Sequence, residues 1–378
     1  MPTSSVPPLV DFLKPLIDPR HAQGLRHPLL AILSLACGAM LCGYDSLNAI
    51  AQCGREHSPE LAQALGFTHP KTPCVATLHR LFKALDVVAF EQALMAWARQ
   101  VLAAQGQSEA LEGAALDGKT LRGSKKQGAA GAHLLSVVSH HLGLTLGQQA
   151  VDDKTNEIPA AIPLLKSILV EGMVITADAM HTQREFCQTV VDAQADYVLI
   201  AKDNQPTLRA DIEAVFTDPV LVAATSTMAE LSNQGHGRIE QRTLTASTAL
   251  LGISDWPGLQ QVFRLERRVI ENKTGEISTV VEYGLTSLSP EKADADIILP
   301  FARGHWTIEN RSHWVRDVTY NEDHSQVRSG AIPEIMAALR NVAIGLLRQM
   351  GVTNVAAAHR HYVAHPAHVL QLMGLSTG

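Results

Sequence analysis

Two aspartates each close a short apolar run. Asp117 follows "GAAL" and Asp178 follows "VITA". Such runs read as buried strands, and carboxylates at strand ends of a mixed sheet stand where ligand sites form. Two carboxylates held close need a cation. Oxygen donors with few imidazoles select Mg²⁺, with Mn²⁺ able to substitute, over zinc. Two such ions roughly 3.5–4 Å apart stabilise the attacking and leaving oxygens of an in-line phosphoryl displacement. A strand-end Asp is also a good turn or cap residue, so it is the pair that carries weight. The chemistry usually needs a third acid.

Candidates for it crowd into "HWTIENRSHWVRDVTYNEDHSQVR", His305 to Arg328, which holds Glu309, Asp317, Glu322 and Asp323. On an α-helix, His305, Glu309, Ser312 and Arg316 share one face, with His313 at its border. Glu309 then sits between basic neighbours, as suits a metal-binding acid whose neighbours touch phosphates. Asp317 lies on a shoulder of the stripe. Glu322 and Asp323 follow the β-branched "VTY", where a helix would end, and read as loop or cap residues. The rival is a zinc site of His305, Glu309 and His313. Its order is not that of His-Glu-x₂-His, and it leaves Asp117 and Asp178 idle. Trp306 and Trp314 read as core or interface.

The elements that must position these acids follow from periodicity. Residues 1–108 read as helical, including the apolar run Leu29–Gly43, whose 15 residues are too few to span a bilayer. In "PCVATLHRLFKALD", Leu78, Leu81, Phe82 and Leu85 make an apolar face with His79, Arg80 and Lys83 outside, a helix that could face DNA. From 109 to 217 the order is β-β-β-α-β-α-β-α, a mixed sheet covered by helices. In a sheet ordered 3-2-1-4-5 its first and fourth strands lie side by side and parallel, which brings Asp117 to Asp178. Thr182 and Glu185 suggest a capping box. Residues 218–288 alternate as a β-rich insertion with a hairpin turn in "ENKTGE". Residues 289–350 return to helix, with a kink or break at Pro300, and 351–378 form a short His-rich tail.

Composition bounds the rest. Of 378 residues 46% are hydrophobic, enough for more than one core, and 31 basic against 37 acidic residues give a net charge of −6. Any nucleic-acid binding must therefore use local basic patches. Five cysteines, with no Cys-x₂-Cys pair, argue against a disulfide framework or zinc site and for a reducing cytoplasm. No secretory leader is read at the N-terminus.

The blocks "ALDGKTLRGS", "ITADAMHTQ", "AKDNQPTL", "GHGRIEQR" and "HWTIENRSHWVRDVTYNEDHSQVR" resemble, in order, those of the DDE transposases of bacterial insertion sequences. The group with the H-repeat-associated proteins is the nearest in pattern. "DPR…G.RHPLLAIL" and "TPCVATLHRLF" resemble that group's associated N-terminal domain. The resemblance spans nearly the whole chain. It implies an RNase H-like core interrupted by a β insertion, with Asp117, Asp178 and Glu309 as a metal-binding catalytic triad. Related enzymes carry Tyr-x₂-Arg-x₃-Glu-x₆-Lys around the third acid. Glu309 fits the Glu and Arg316 the Lys, while Ala302 and His305 stand at the Tyr and Arg positions. The implied activity is hydrolysis at the element ends by two Mg²⁺ ions, then attack of the freed 3′-OH on target DNA. The alternatives are a stand-alone nuclease and a catalytically silent DNA-binding derivative. The implied setting is the bacterial cytoplasm and nucleoid, with double-stranded DNA ends and target as partners, a homodimer on paired ends, and no membrane. On this reading Lys119, Arg122, Lys125 and Lys126 form a phosphate-holding cluster, whose alternative is a solvated loop. Lys202, Asn204 and Arg238 are further DNA-contact candidates. Trp256 is a candidate for stacking on an extruded base, against a core role beside Pro257.

Overall fold

A computed structural model describes residues 7–21, 25–56, 59–104, 111–125, 131–152, 155–169, 171–235 and 237–375. Its nine strands are β1 (Glu112–Thr120), β2 (His133–Ser139), β3 (Thr145–Val151), β4 (Met173–Ala177), β5 (Asp196–Ala201), β6 (Ser226–Gly235), β7 (Arg238–Ser247), β8 (Gln261–Glu271) and β9 (Ile277–Thr286). They form one sheet in the order β3-β2-β1-β4-β5-β9-β8-β7-β6. The first five give the 3-2-1-4-5 order of an RNase H-like fold. β1–β4 and β4–β5 pair parallel, β2–β3 antiparallel, so the sheet is mixed. The β-rich insertion extends this same sheet: β9 pairs antiparallel with β5, and antiparallel pairs carry it on to β6.

By contacts the chain divides into two compact units, Leu111–Asp117 with Ala161–Trp306, and Met1–Ala110 with Gly118–Ala160 and Thr307–Gly378. In the first, α8 (Arg184–Asp192), α9 (Pro206–Thr217), α10 (Pro219–Thr225) and α11 (Ala295–Gly304) accompany β4 to β9. Val174, Val198, Leu244, Phe263, Leu265, Ile298 and Leu299 make its core. Alternation shows only where the two strands meet the core, with Leu244 and Ala246 of β7 and Phe263 and Leu265 of β8 buried and Thr245 and Arg264 between them half-buried. The capping box does not form. Gln183 precedes α8, and the Thr182 hydroxyl instead donates to the Ile200 carbonyl at 2.7 Å, tying the loop after β4 to β5.

The other unit carries α1 (Leu9–Leu13), α2 (Leu29–Leu41), α3 (Leu47–Glu56), α4 (Pro59–Ala64), α5 (Val75–Ala84) and α6 (Val87–Ala104). It also holds α12 (Ile332–Gln349), α13 (Val355–Ala364) and α14 (Pro366–Leu372); α7 (Glu157–Ile168) begins in it and runs on into the first unit. The apolar run becomes α2, nearly all buried and packed against α12. Helix α5 buries Leu78, Leu81 and Phe82 and exposes Arg80 and Lys83. Gly143, at φ +65°, makes the turn between β2 and β3, a left-handed conformation costly for other residues. No helix among the described residues is long and apolar enough to cross a membrane.

Candidate active site

The register of β1 on β4 runs from Glu112↔Met173 to Leu116↔Ala177. One step on stand Asp117 and Asp178, on adjacent parallel strands. β4 ends there because Asp178 caps a 3₁₀ turn, its carboxylate accepting from the Ala179 N–H at 2.7 Å. That turn is held from β5's end: the Asn204 amide donates to the Ala179 carbonyl at 2.8 Å, and the Gln205 amide to the Thr182 carbonyl at 3.0 Å. Lys202, exposed, sets its ammonium 3.9 Å from Asp178 and 3.7 Å from Glu282. His305 faces the same acid. Burial holds its imidazole below the usual value, while the Asp178 carboxylate pulls the other way and His181 and Lys202 add to the lowering.

The helix read across His305, Glu309, Ser312 and Arg316 is broken. α11 runs through Pro300 to Gly304, so the proline does not end it; the break falls at His305–Trp306. Beyond it the chain takes π-helical turns at Glu309–His313 and Val315–Thr319. There the Trp314 N–H bonds to the Glu309 carbonyl and the Tyr320 N–H to the Val315 carbonyl, five residues back. A wider turn rotates successive side chains off the α-period stripe. Glu309 is exposed, whereas Ser312, His313 and Arg316 are buried. The Glu309 carboxylate lies 3.3 Å from His313 Nδ1. That hydrogen bond lowers the carboxyl's pKa; burial opposes it, and the charges of His313 and Lys119 reinforce it.

Lys119 stands two residues after Asp117 on β1, hence on the same strand face. Only 8% exposed, it pairs with Asp317 at 2.6 Å. It supplies charge to the acid cluster from within rather than a surface contact to phosphate. Arg316 is a second correction. Its guanidinium is 0% exposed and bound to Glu322 at 2.8 Å, and Glu322 also binds Arg340 at 3.0 Å. A cation locked between buried elements presents no donor to DNA, and Glu322 is a buried ion-pair centre rather than a loop acid. Arg122 and Lys125 are exposed, the former 3.6 Å from Asp323; Lys126 lies outside the described residues. Arg238 opens β7 and is exposed. Trp256 is buried. Its indole N–H donates to Cys187 Sγ at 3.3 Å and the Arg184 guanidinium covers its ring at 5.4 Å, so it offers no free face to a base. Trp306 and Trp314, read as core or interface, are largely exposed.

Sequence reasoning also missed a polar chain on the other face of β1. The Glu157 carboxylate meets His133 Nε2 at 2.8 Å, and His133 Nδ1 meets the Thr120 hydroxyl at 2.8 Å. Gly118 admits it, since a Cβ there would fall 2.1 Å from Glu157 Oε1. Nothing in local spacing announces these partners. For Lys119 a signal existed: its two-residue offset from Asp117.

Acids at adjacent strand ends of a mixed sheet define a class of acid-lined α/β site. Comparison with known proteins makes the class specific. Residues 109–346 match the family described as Transposase DDE domain, and residues 10–98 the one described as DDE_Tnp_1-associated. The chain belongs to the DDE transposase family. It is 32% identical to "Putative transposase YncI" of Escherichia coli O157:H7 over 91% of this chain and 88% of that protein. It is 29% identical to "H repeat-associated putative transposase YhhI" of Escherichia coli strain K12 over 97% and 99%. Among solved structures, the cryo-EM structure of the piggyBac transposase synaptic complex with hairpin DNA aligns with TM-score 0.44 and 9% identity, over 96% of this chain and 76% of that one.

Proposed function

We propose that this chain is an insertion-sequence transposase that hydrolyses a phosphodiester at the element end and joins the freed 3′-OH to target DNA. Asp117, Asp178 and Glu309 are its catalytic acids. The observation that carries the reading is the β1–β4 register, which ends one step before both aspartates. The donor set suits Mg²⁺: carboxylate oxygens, with Glu309 kept ionised by its partner. His313, whose Nδ1 lies 3.3 Å from the Glu309 carboxylate, adds one nitrogen. That nitrogen also suits Mn²⁺. When bound, such ions polarise the phosphoryl oxygens and lower the pKa of water. The chain's own part is positioning and charge. Asp178 is fixed by its turn, Asn204 bracing that turn from β5. The ion pair of Lys119 with Asp317 holds a cation behind the acids. Arg122, Lys125, Lys202, Asn204 and Arg238 are the proposed DNA contacts, and His305 orients beside Asp178. Two copies acting on paired ends, in the cytoplasm, complete the reading.

The test is cleavage of DNA carrying the flanking element ends, with Mg²⁺, followed by a strand-transfer assay. Asp117→Asn, Asp178→Asn and Glu309→Gln should each lose cleavage and keep end binding. Full activity in Glu309→Gln would sink the assignment. Cleavage without joining would make the protein a nuclease. No cleavage by the wild type would make it a silent DNA-binding derivative.

A further inference from the structure

The tail carries a second set of metal-ligand side chains, chemically unlike the first. His361 lies in α13, His365 sits between α13 and α14, and His368 lies in α14. All three are exposed. Their rings stack on one another, with centroids 4.6 Å apart for His361 and His365 and 5.3 Å for each of the other two pairs. We propose that these three imidazoles form a surface site for a borderline divalent transition metal, Zn²⁺ foremost, separate from the carboxylate site.

Three features of the geometry support it. First, His361 Nε2 and His368 Nδ1 stand 3.2 Å apart. Tetrahedral zinc, with Zn–N of about 2.0–2.1 Å, sets neighbouring ligand nitrogens about 3.3–3.4 Å apart. The pair is already at one edge of such a tetrahedron. Second, His365 Nδ1 lies 2.9 Å from the His361 carbonyl. A carbonyl only accepts, so Nδ1 carries the proton and Nε2 keeps its lone pair. Donation from the other ring nitrogen to a backbone carbonyl is the usual support of a metal-ligating histidine. Third, the His365 ring stacks on the other two and must turn off that stack to complete the third ligand position, which its exposure to solvent allows. Water fills the fourth. Imidazole nitrogen selects Zn²⁺, Ni²⁺ or Cu²⁺ and rejects Mg²⁺, which the carboxylates prefer.

The bound ion would staple α14 to α13. Helix α13 packs on the Val315–Thr319 segment, and its His359 ring meets Tyr320 with centroids 4.9 Å apart. The staple would therefore stiffen the tail against the segment that follows Glu309. Helix α14 packs in turn on α2 and α4.

Calorimetric titration with Zn²⁺ tests this on the full chain carrying Asp117→Asn and Glu309→Gln, which removes the carboxylate site from the count. The expected result is one Zn²⁺ per chain, unaffected by excess Mg²⁺. Adding His361→Ala or His368→Ala should weaken binding at least about tenfold, the scale by which even outer-shell changes weaken metal sites. Their metal-free melting curves should not move, because the rings are exposed. Co²⁺ should give the visible spectrum of a tetrahedral nitrogen site in the parent and lose it in His368→Ala. No Zn²⁺ binding by the parent, or equal binding by both histidine variants, would overturn the proposal. Neither outcome bears on DNA cleavage.

Discussion

Replacing Glu322 by Gln should cost stability rather than chemistry, and the cost can be worked from its partners. The carboxylate binds Arg316 at 2.8 Å and Arg340 at 3.0 Å, and the three side chains are 2%, 0% and 2% exposed. Arg340 has a further acceptor in the Asp45 carbonyl at 2.9 Å. Glutamine keeps one acceptor oxygen, but it removes the carboxylate that these two buried cations share. It also turns an NH₂ donor toward a guanidinium. Breaking a buried pair from one side costs about 3–5 kcal/mol, because the remaining charge is left uncompensated. At about 2–4 °C per kcal/mol for a cooperative unit of 150–250 residues, the melting temperature should fall by about 6–20 °C. Glu309→Gln is the control. Its side chain is 55% exposed, so its melt should match the wild type.

The pH dependence sharpens the test. Burial raises the Glu322 carboxyl's pKa, but the two guanidiniums outweigh it and hold the group below its ordinary value of 4.5. A carboxyl depressed on folding adds stability that is present above its unfolded pKa and is lost as pH falls through its folded pKa. The gap between wild type and Glu322→Gln should therefore be full at neutral pH and close only at pH below about 4.5. Thermal melts followed by circular dichroism across pH 3–8 would show this. A Glu322→Gln melt within about one degree of wild type at pH 7 would refute the buried-charge argument.

Glu91 offers the opposite sign. Burial raises its carboxyl to about 8, against the Gln148 amide, which donates to it at 2.8 Å. The folded protein then holds a proton that the unfolded chain has released. Wild type should lose up to about 1.4 kcal/mol per pH unit relative to Glu91→Gln between about 4.5 and 8, and nothing further above that. Denaturant melts at pH 5, 7 and 9 read it; parallel stabilities would refute it. For DNA, four proposed cationic contacts (Arg122, Lys125, Lys202 and Arg238) imply a salt slope of about −3.6, hence roughly 10²-fold weaker end binding from about 50 to 200 mM salt. Fluorescence anisotropy measures the slope, and a flat response would remove these residues from the interface.

Much of the catalytic scaffold was legible because its signals are local. The strand ends at Asp117 and Asp178, the alternation of β6 to β9 and the apolar stripe of α5 each need only a few neighbours in sequence. The sheet order was the one that the family resemblance implies, and the strand connectivity is compatible with it.

What escaped depends on backbone geometry and partners that spacing does not encode. The stripe through Glu309 assumed α-helical turns. The break at His305–Trp306 and the π-turns after it rotate Arg316 inward, and no residue type there signals a five-residue hydrogen bond. An arginine is almost never fully buried unless paired. Its pairs are distant or indirect: Glu322 lies six residues on, and Arg340 shares that same carboxylate from another helix. Lys119 likewise meets Asp317 across a separation of 198 residues. Charge counted along the chain thus overstates the cations available to DNA. Arg316, Arg340 and Lys119 are buried, so they are not among the cations open to a ligand at the surface.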